Sequence, residues 1–406
     1  MESFYIKGET LNDFSSVKNK KLVLFPAGQY TRLFLQYEKL DNIFCICDNS
    51  GEAQGKMIHD IPVVSPLALC EEEDEFCIIV TVPSLTNELS KQLKELQLLD
   101  RCELIVCNWG SFTAKKLYDP FTFENKQKNH TKTLLVLAGY KEKLWDIVFK
   151  RIKCFVPNDI DVCIMSSGKY VPELSEICEK NNWSYLSTKT NNLSLIQNIA
   201  IKLHPNADYI YKLDEDMFIS EGFFEGLLNT HIDAERNSRY RVGLVAPLIP
   251  VNVHGHIRFM EKMGCLNEYE ERFGRAYYDF NTHFGGKVEE TVFLWEQTLP
   301  LDKTAKKFRD MPYSYSVCPH RFSIGAILFK RKIWEEMGGF RVMDGTGLGS
   351  DEFDLAVFFL SLTHFYSFVI AENVLAGHYS YGKLSNPALM DQFYDEHKQQ
   401  FDILEE

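Results

Sequence analysis

Residues 207–218 read Ala-Asp-Tyr-Ile-Tyr-Lys-Leu-Asp-Glu-Asp-Met-Phe. Up to Leu213 the apolar residues alternate with the period of a buried strand, and the run then breaks into three consecutive acids, Asp214, Glu215 and Asp216. A strand of this kind needs a sheet, and its exit from the core is tightly constrained. Three desolvated carboxylates repel one another unless something positive lies among them. In α/β sheets the C-terminal strand ends are where ligands bind, and carboxylate oxygens there suit hard divalent cations such as Mg²⁺ or Mn²⁺. The competing reading is an acidic turn that caps the following helix, so the flanking sequence has to discriminate.

Upstream, residues 192–203 place apolar side chains at helical spacing, begin after Thr190-Asn191 and stop at His204-Pro205. This pattern predicts a helix feeding directly into the acidic strand. Downstream, residues 321–339 predict a strand and a helix, followed by Phe340 and a glycine-rich stretch. A second acid cluster, Asp351, Glu352 and Asp354, opens another helix, and residues 368–378 predict a strand with His378 just past its end.

In this order, from Thr133 to Tyr381, the set resembles the inverting glycosyltransferases of the GT-A fold, in particular the large family 2 type. The family's Asn-rich helix before its DxD strand is matched by residues 192–198, with Ser194 in place of a glycine and Gln197 in place of an arginine. Its glycine, arginine and Gly-Gly-Phe block is matched by Gly325, Arg331, Gly338, Gly339 and Phe340, and its E-D-x-D-L by residues 351–355 with the two leading acids reversed. The resemblance implies Mn²⁺ or Mg²⁺ held by Asp214, Asp216 and His378, and a catalytic base at Asp351 or Glu352. It also implies donor contacts from Ala138, Gly139, Tyr140, Ser166, Asn192, Asn198, Lys212, Asp214 and Glu215. Two departures stand out: the second strand ends in Ser166-Ser167-Gly168 where the family commonly has acids, and the first ends in Ala-Gly-Tyr. Tyr140 could still stack on a nucleobase.

The 406 residues are 45% hydrophobic and 25% charged, ordinary for a soluble globular protein of two or three domains. A formal net charge of −13 argues against a nonspecific nucleic-acid binder. The 11 cysteines are scattered, mostly in apolar runs and without a CxxC pair, which predicts core thiols in a reducing cytosol. No signal peptide is visible at the start, and the greasiest stretch, 355–370, is too short to span a bilayer.

Residues 20–107 alternate strands and helices in a doubly wound pattern. Gly28 and Asp48 stand where a nucleotide-binding unit would use a phosphate turn and a ribose acid, but no complete G-x-G-x-x-G is present. The expected organisation is an α/β chain: a Rossmann-like domain over 1–110, a polar linker over 111–131, a GT-A domain over 132–390 with an insertion at about 231–320, and a tail over 391–406. Arginines and histidines in that insertion, among them Arg258, Arg272 and His254, are candidates to grip an anionic or lipid-diphosphate acceptor. Gly345, Gly347 and Gly349 suggest an acceptor-side loop able to move.

The expected activity is metal-dependent glycosyl transfer from a nucleotide-sugar donor to a glycan or lipid-linked acceptor in surface-polysaccharide synthesis. The expected setting is the cytoplasm, with the inner membrane face and partner enzymes as candidate associations. The alternatives are a sugar nucleotidyltransferase, which would want a Gly-rich basic phosphate loop that residues 137–142 do not provide, and a noncatalytic binding subunit of a synthase.

Overall fold

A computed structural model of the protein describes residues 17, 19–37, 40–82, 85–107, 121–278, 288–342, 346–363, 366–379 and 386–404. Residues 111–120 of the expected linker, Gly345 and Tyr381 lie outside these. The chain divides into two compact units, Met1–Tyr118 with Trp334–Met343, and Asp119–Ile333 with Asp344–Glu406.

The first unit is built on β1 (Lys21–Phe25), β2 (Ile43–Cys47), β3 (Met57–Ile58), β4 (Ile61–Val64), β5 (Phe76–Val80) and β6 (Cys102–Val106), in the order β3-β4-β2-β1-β5-β6. All neighbours are parallel except the short β3–β4 pair. Continuous apolar runs such as Phe-Cys-Ile-Ile-Val make β5 buried on both faces, as parallel strands require. Val23, Cys45, Ile78 and Val80 form the core with Leu89 and Leu93 of the helix Thr86–Glu95. Asp48 accepts hydrogen bonds from the Ala27 and Ser50 amides at 2.8 and 2.7 Å. Its carboxylate thus staples two turns, the local role that Asp-Asn-Ser-Gly also allows.

The second unit carries β7 (Phe121–Glu124), β8 (Lys132–Leu137), β9 (Asp161–Ser166), β10 (Ser184–Thr188), β11 (Tyr209–Asp214), β12 (Met217–Phe218), β13 (Arg241–Leu248), β14 (Tyr315–Cys318), β15 (Ala326–Lys330), β16 (Tyr366–Leu375) and β17 (Gly377–His378). Nine of them form one mixed sheet in the order β14-β16-β13-β15-β11-β8-β9-β10-β7. The strands β10, β9, β8 and β11 are parallel, joined by the helices Trp145–Phe155, Pro172–Asn181 and Leu193–Leu203. β15 runs antiparallel between β11 and β13. Because β8 lies between β9 and β11, the chain order reverses there, and α/β sheets open a ligand crevice at such a point.

Two segments differ from the sequence expectation. Residues 121–124, expected in the linker, pair antiparallel with β10 as an edge strand, which their alternating Phe-Thr-Phe-Glu allows. Arg241–Leu248, expected inside the insertion, is an interior strand between β15 and β16, because all but its first residue are buried.

Local chemistry sets the approach to β11. Asn192 caps the helix Leu193–Leu203 by accepting from the Leu195 amide at 3.0 Å. At the other end Arg331 donates to the carbonyls of Ala207 (2.7 Å), Ile201 (2.7 Å) and His204. Two of these carbonyls also accept backbone amides, Ile201 from His204 at 3.3 Å and His204 from Ala207 at 3.1 Å, so the guanidinium supplements the bonds of the helix end and the following turn. Arg331, which the resemblance counts as a motif residue, therefore serves as a helix-to-strand staple.

The short β12–β17 ribbon pairs Met217 with His378 and Phe218 with Gly377. It rests on an aromatic cluster: Phe218, Trp295 and Phe401 have ring centroids 5.0–6.3 Å apart, and Tyr379 and Tyr394 are 5.3 Å apart. Phe401 and Tyr394 come from the helix Pro387–Phe401. Fully buried Arg151 locks this end by donating to the carbonyls of Phe401, Ile219 and Asp402 at 2.8–3.2 Å and pairing with Asp302 at 2.7 Å. Among the described residues no helix is long and apolar enough to cross a membrane.

Candidate functional site

The parallel register brings Asp214 of β11 opposite Leu137 of β8, so the loop 138–141 lies beside the acid triplet. The three acids then diverge. Glu215 turns back and accepts from the amides of Gly139 (2.8 Å) and Tyr140 (2.9 Å) and from the Trp145 indole (2.6 Å). Its charge is absorbed in shaping that loop. Glu215, expected at the donor, thus has both oxygens engaged by the chain itself, and Ala138, itself buried, joins the sheet through its amide to Met165.

Asp214 faces Lys212, which is buried and lies 2.7 Å from it, 3.7 Å from Asp351, and 3.1 Å from the Ile324 carbonyl. Burial opposes the charge on Lys212, but Asp214 and Asp351 outweigh it and hold its pKa above the ordinary value. Lys212 thus joins the two acid clusters from below. For Asp214, burial pushes the pKa up, and Asp216 and Asp351 add to this against the pull of Lys212.

Asp216 is 1% exposed. One of its oxygens, Oδ2, accepts from Lys141 and lies 3.4 Å from His378 Nε2. The other, Oδ1, is buried with no hydrogen-bond partner among the described residues. Although burial works against ionisation, His378 and Lys141 keep Asp216 well below the usual carboxylate range. An ionised buried oxygen without a donor calls for a cation. Asp216 and His378, 3.4 Å apart, offer one carboxylate and one imidazole to a hard divalent ion, whereas Asp214 is turned to Lys212 and the three ligand groups do not all lie within 4.8 Å of one another.

The second acid cluster opens the helix Ser350–Val357, behind Gly349 at φ 73°. Its start docks on the upstream helix: Ser194 and Ser350 hydroxyls are 2.8 Å apart, and the Leu193 amide donates to Thr346 at 2.8 Å. Asp351 is 4% exposed and accepts from Gln197 at 2.9 Å and from the Glu352 amide at 2.8 Å. Gln197 thereby fills the position where the family has arginine. Glu352 instead pairs with Arg321 at 2.6 Å. Burial pushes the Glu352 carboxyl up to about 7, offset by Arg321 and reinforced by Asp351.

On the donor side, Tyr140 is half exposed, its hydroxyl donates to the Ser167 carbonyl at 2.6 Å, and Lys169 lies 4.4 Å from its ring centroid. Gly139 has φ 130°, which leaves the loop close to Ser166 and Lys169. Ser166 does not face an open site: it is buried, 2.5 Å from the Tyr185 hydroxyl, and donates to the Lys169 carbonyl. Asn192 is engaged as a cap and Asn198 is fully buried in its helix. Arg258 is likewise committed, to Glu372 at 2.7 Å, and not to an anionic acceptor; Arg272 packs 5.0–5.1 Å from the rings of Phe273 and Phe293.

Sequence reasoning missed Lys141 and Arg321. Lys141 lies in the loop after β8 and Arg321 in the loop between β14 and β15, and a basic residue in a loop near a strand end of the motif set is a readable signal.

No protein-family model matches the chain, and no curated protein does. Among solved structures the chain is similar to GalNAc-T7 with UDP, GalNAc and Mn²⁺, at 12% identity and a TM-score of 0.36, over 61% of this chain and 43% of that one. It is also similar to the mannosyltransferase PcManGT from Pyrobaculum calidifontis in complex with GDP-Man and Mn²⁺, at 13% identity and a TM-score of 0.36, over 73% of this chain and 68% of that one. The chain thus spans less than half the length of the first.

Proposed function

We propose that this protein is a divalent-metal-dependent glycosyltransferase of the GT-A type, acting on a nucleotide-sugar donor with inversion at the anomeric carbon. The observation that carries the reading is Asp216: ionised, buried, one oxygen without a donor, and set between His378 and Lys141 at the crevice end of the sheet. The metal, held by Asp214, Asp216 and His378, would supply Lewis-acid neutralisation of the leaving diphosphate. Lys141 sits beside it as a second positive group for that diphosphate, and the exposed ring of Tyr140 offers a face for the base.

Transfer requires the acceptor oxygen to bond to the anomeric carbon while the bond to the diphosphate breaks, through a transition state of oxocarbenium character. The acceptor proton must go to a base. Glu352 is the better of the two candidates, because Asp351 is engaged by Gln197 and by the amide of Glu352. Arg321 keeps enough Glu352 ionised near neutral pH to serve. A role in surface-polysaccharide synthesis, with a glycan or lipid-linked acceptor, completes the proposal.

The test is release of nucleoside diphosphate from a panel of nucleotide sugars by the full chain with Mn²⁺. One donor should be turned over, EDTA should stop it, and Asp216→Asn and Glu352→Gln should each lower the rate by roughly a hundredfold or more. Full activity in Asp216→Asn, or pyrophosphate in place of nucleoside diphosphate as the product, would refute the proposal.

A further inference from the structure

A second group of potential ligands lies in the same unit, away from the acid triplet. The chain leaves β13 at Leu248 and reaches His254 just before the helix Gly255–Met263, while β14 ends at Cys318 with His320 two residues on. β13 and β14 flank β16 but leave it at opposite ends, Leu248 opposite Leu375 and Cys318 opposite Phe368, so it is the segment 249–254 that brings His254 to the Cys318 end. One ligand atom from each of His254, Cys318 and His320 lies within 4.8 Å of the other two. Cys318 Sγ is 3.9 Å from His320 Nε2, and the two imidazole rings are 5.7 Å apart edge to face.

His254 makes this cluster more than a chance meeting. It is 5% exposed, yet neither ring nitrogen has a hydrogen-bond partner among the described residues. Burying an imidazole N–H and its lone pair unpaired costs free energy that a ligand would recover. His320 is arranged in the complementary way: its Nδ1 lies 3.0 Å from the Arg321 carbonyl. With the proton on Nδ1, that bond fixes the tautomer and leaves Nε2 as the ligand, the outer hydrogen bond that metal-bound histidines usually make.

We propose that His254, Cys318 and His320 form a site for a zinc ion, separate from the carboxylate site at Asp216. A thiolate with two imidazoles selects a borderline-soft ion over Mg²⁺ or Mn²⁺. In a tetrahedral zinc site sulfur and nitrogen ligands stand about 3.6 Å apart, close to the separation already present. Binding displaces the Cys318 thiol proton to solvent, forms one Zn–S and two Zn–N bonds, and leaves a fourth position for water. The site would fasten the loop after β13 to the end of β14 and so fix His320 and its neighbour Arg321, the partner of Glu352. None of this depends on the glycosyltransferase reading, since the ligands belong to neither acid cluster.

The test uses the full chain, stripped of metal, reduced, and held in excess Mg²⁺ to occupy the carboxylate site. Titration with Co²⁺ should produce a thiolate-to-cobalt charge-transfer band in the near ultraviolet that saturates at one ion per chain and is bleached by Zn²⁺. The band should vanish in Cys318→Ser, weaken in His320→Gln, and persist in Asp216→Asn. Folded wild-type protein without the band would overturn the proposal. So would an equal band in Cys318→Ser, which would assign it to another of the 11 cysteines.

Discussion

At the level of single residues, the paired acids Asp351 and Glu352 differ because of what each one touches. Asp351 is enclosed by Gln197, Lys212 and a backbone amide, whereas Glu352 has its ion pair with Arg321 and the more distant charge of Lys212 against the cost of burial. Glu352 is pushed up to about 7, so activity should rise with pH through about 7 and then level off as the base ionises. Arg321→Gln removes the offsetting charge, and the rising limb should move up by about one pH unit. A pH-rate profile with no limb near 7, or one unchanged in Arg321→Gln, would remove Glu352 as the base. The linkage to stability has a definite sign. The folded pKa lies above the unfolded one, so the folded state binds the proton more tightly and stability falls as pH rises from about 4.5 through about 7. Over that span wild type should lose about 2–3 kcal/mol relative to Glu352→Gln in urea unfolding. The reversed order of these two acids could be read from sequence; which of them kept a titratable role could not, because it depends on Gln197 and Arg321, distant in the chain.

Elements were legible where their apolar pattern was uninterrupted. β11, the helix Leu193–Leu203 and β16 all follow the alternation or helical spacing of their residues. β13 falls inside the stretch expected as an insertion, and its place between β15 and β16 is set by partners far away in sequence. The β12–β17 ribbon is two residues on each side, below what any periodicity can report. It is nevertheless what holds His378 toward Asp216. Gly377 in this ribbon has no room for a side chain, since an added Cβ would come within 2.5 Å of the Trp295 ring. Gly377→Ala should cost about 1–3 kcal/mol by overpacking and weaken metal-dependent nucleotide binding through His378. Arg331→Met, by contrast, should destabilise by about 2–4 kcal/mol through three lost carbonyl partners without moving the pH limb. Equal effects of the two variants on metal binding would contradict this division of roles.

At the scale of the whole molecule, the site is assembled from strand ends and loops of the second unit, and the C-terminal helix closes the aromatic cluster beneath one side of it. Arg151 ties that helix to Ile219 and Asp302 with no exposed surface of its own. Arg151→Met leaves Asp302 and three carbonyls without their cation and should cost about 3–5 kcal/mol, read as a lower urea midpoint for loss of near-ultraviolet dichroism from Trp295. The doubly wound character of the first unit was legible in its alternation of strands and helices. Its short β3–β4 pair and the stapling role of Asp48 emerged only from pairing and hydrogen bonding.

The proposed activity requires that Asp216 and His378 hold a divalent ion that in turn holds a nucleotide. Calorimetric titration of the full chain with UDP, GDP, CMP and dTDP, each with and without Mn²⁺, measures this directly. One nucleotide should bind, only with the metal, and Asp216→Asn should lose the binding while remaining folded. Metal-independent binding, or binding undiminished in Asp216→Asn, would contradict it.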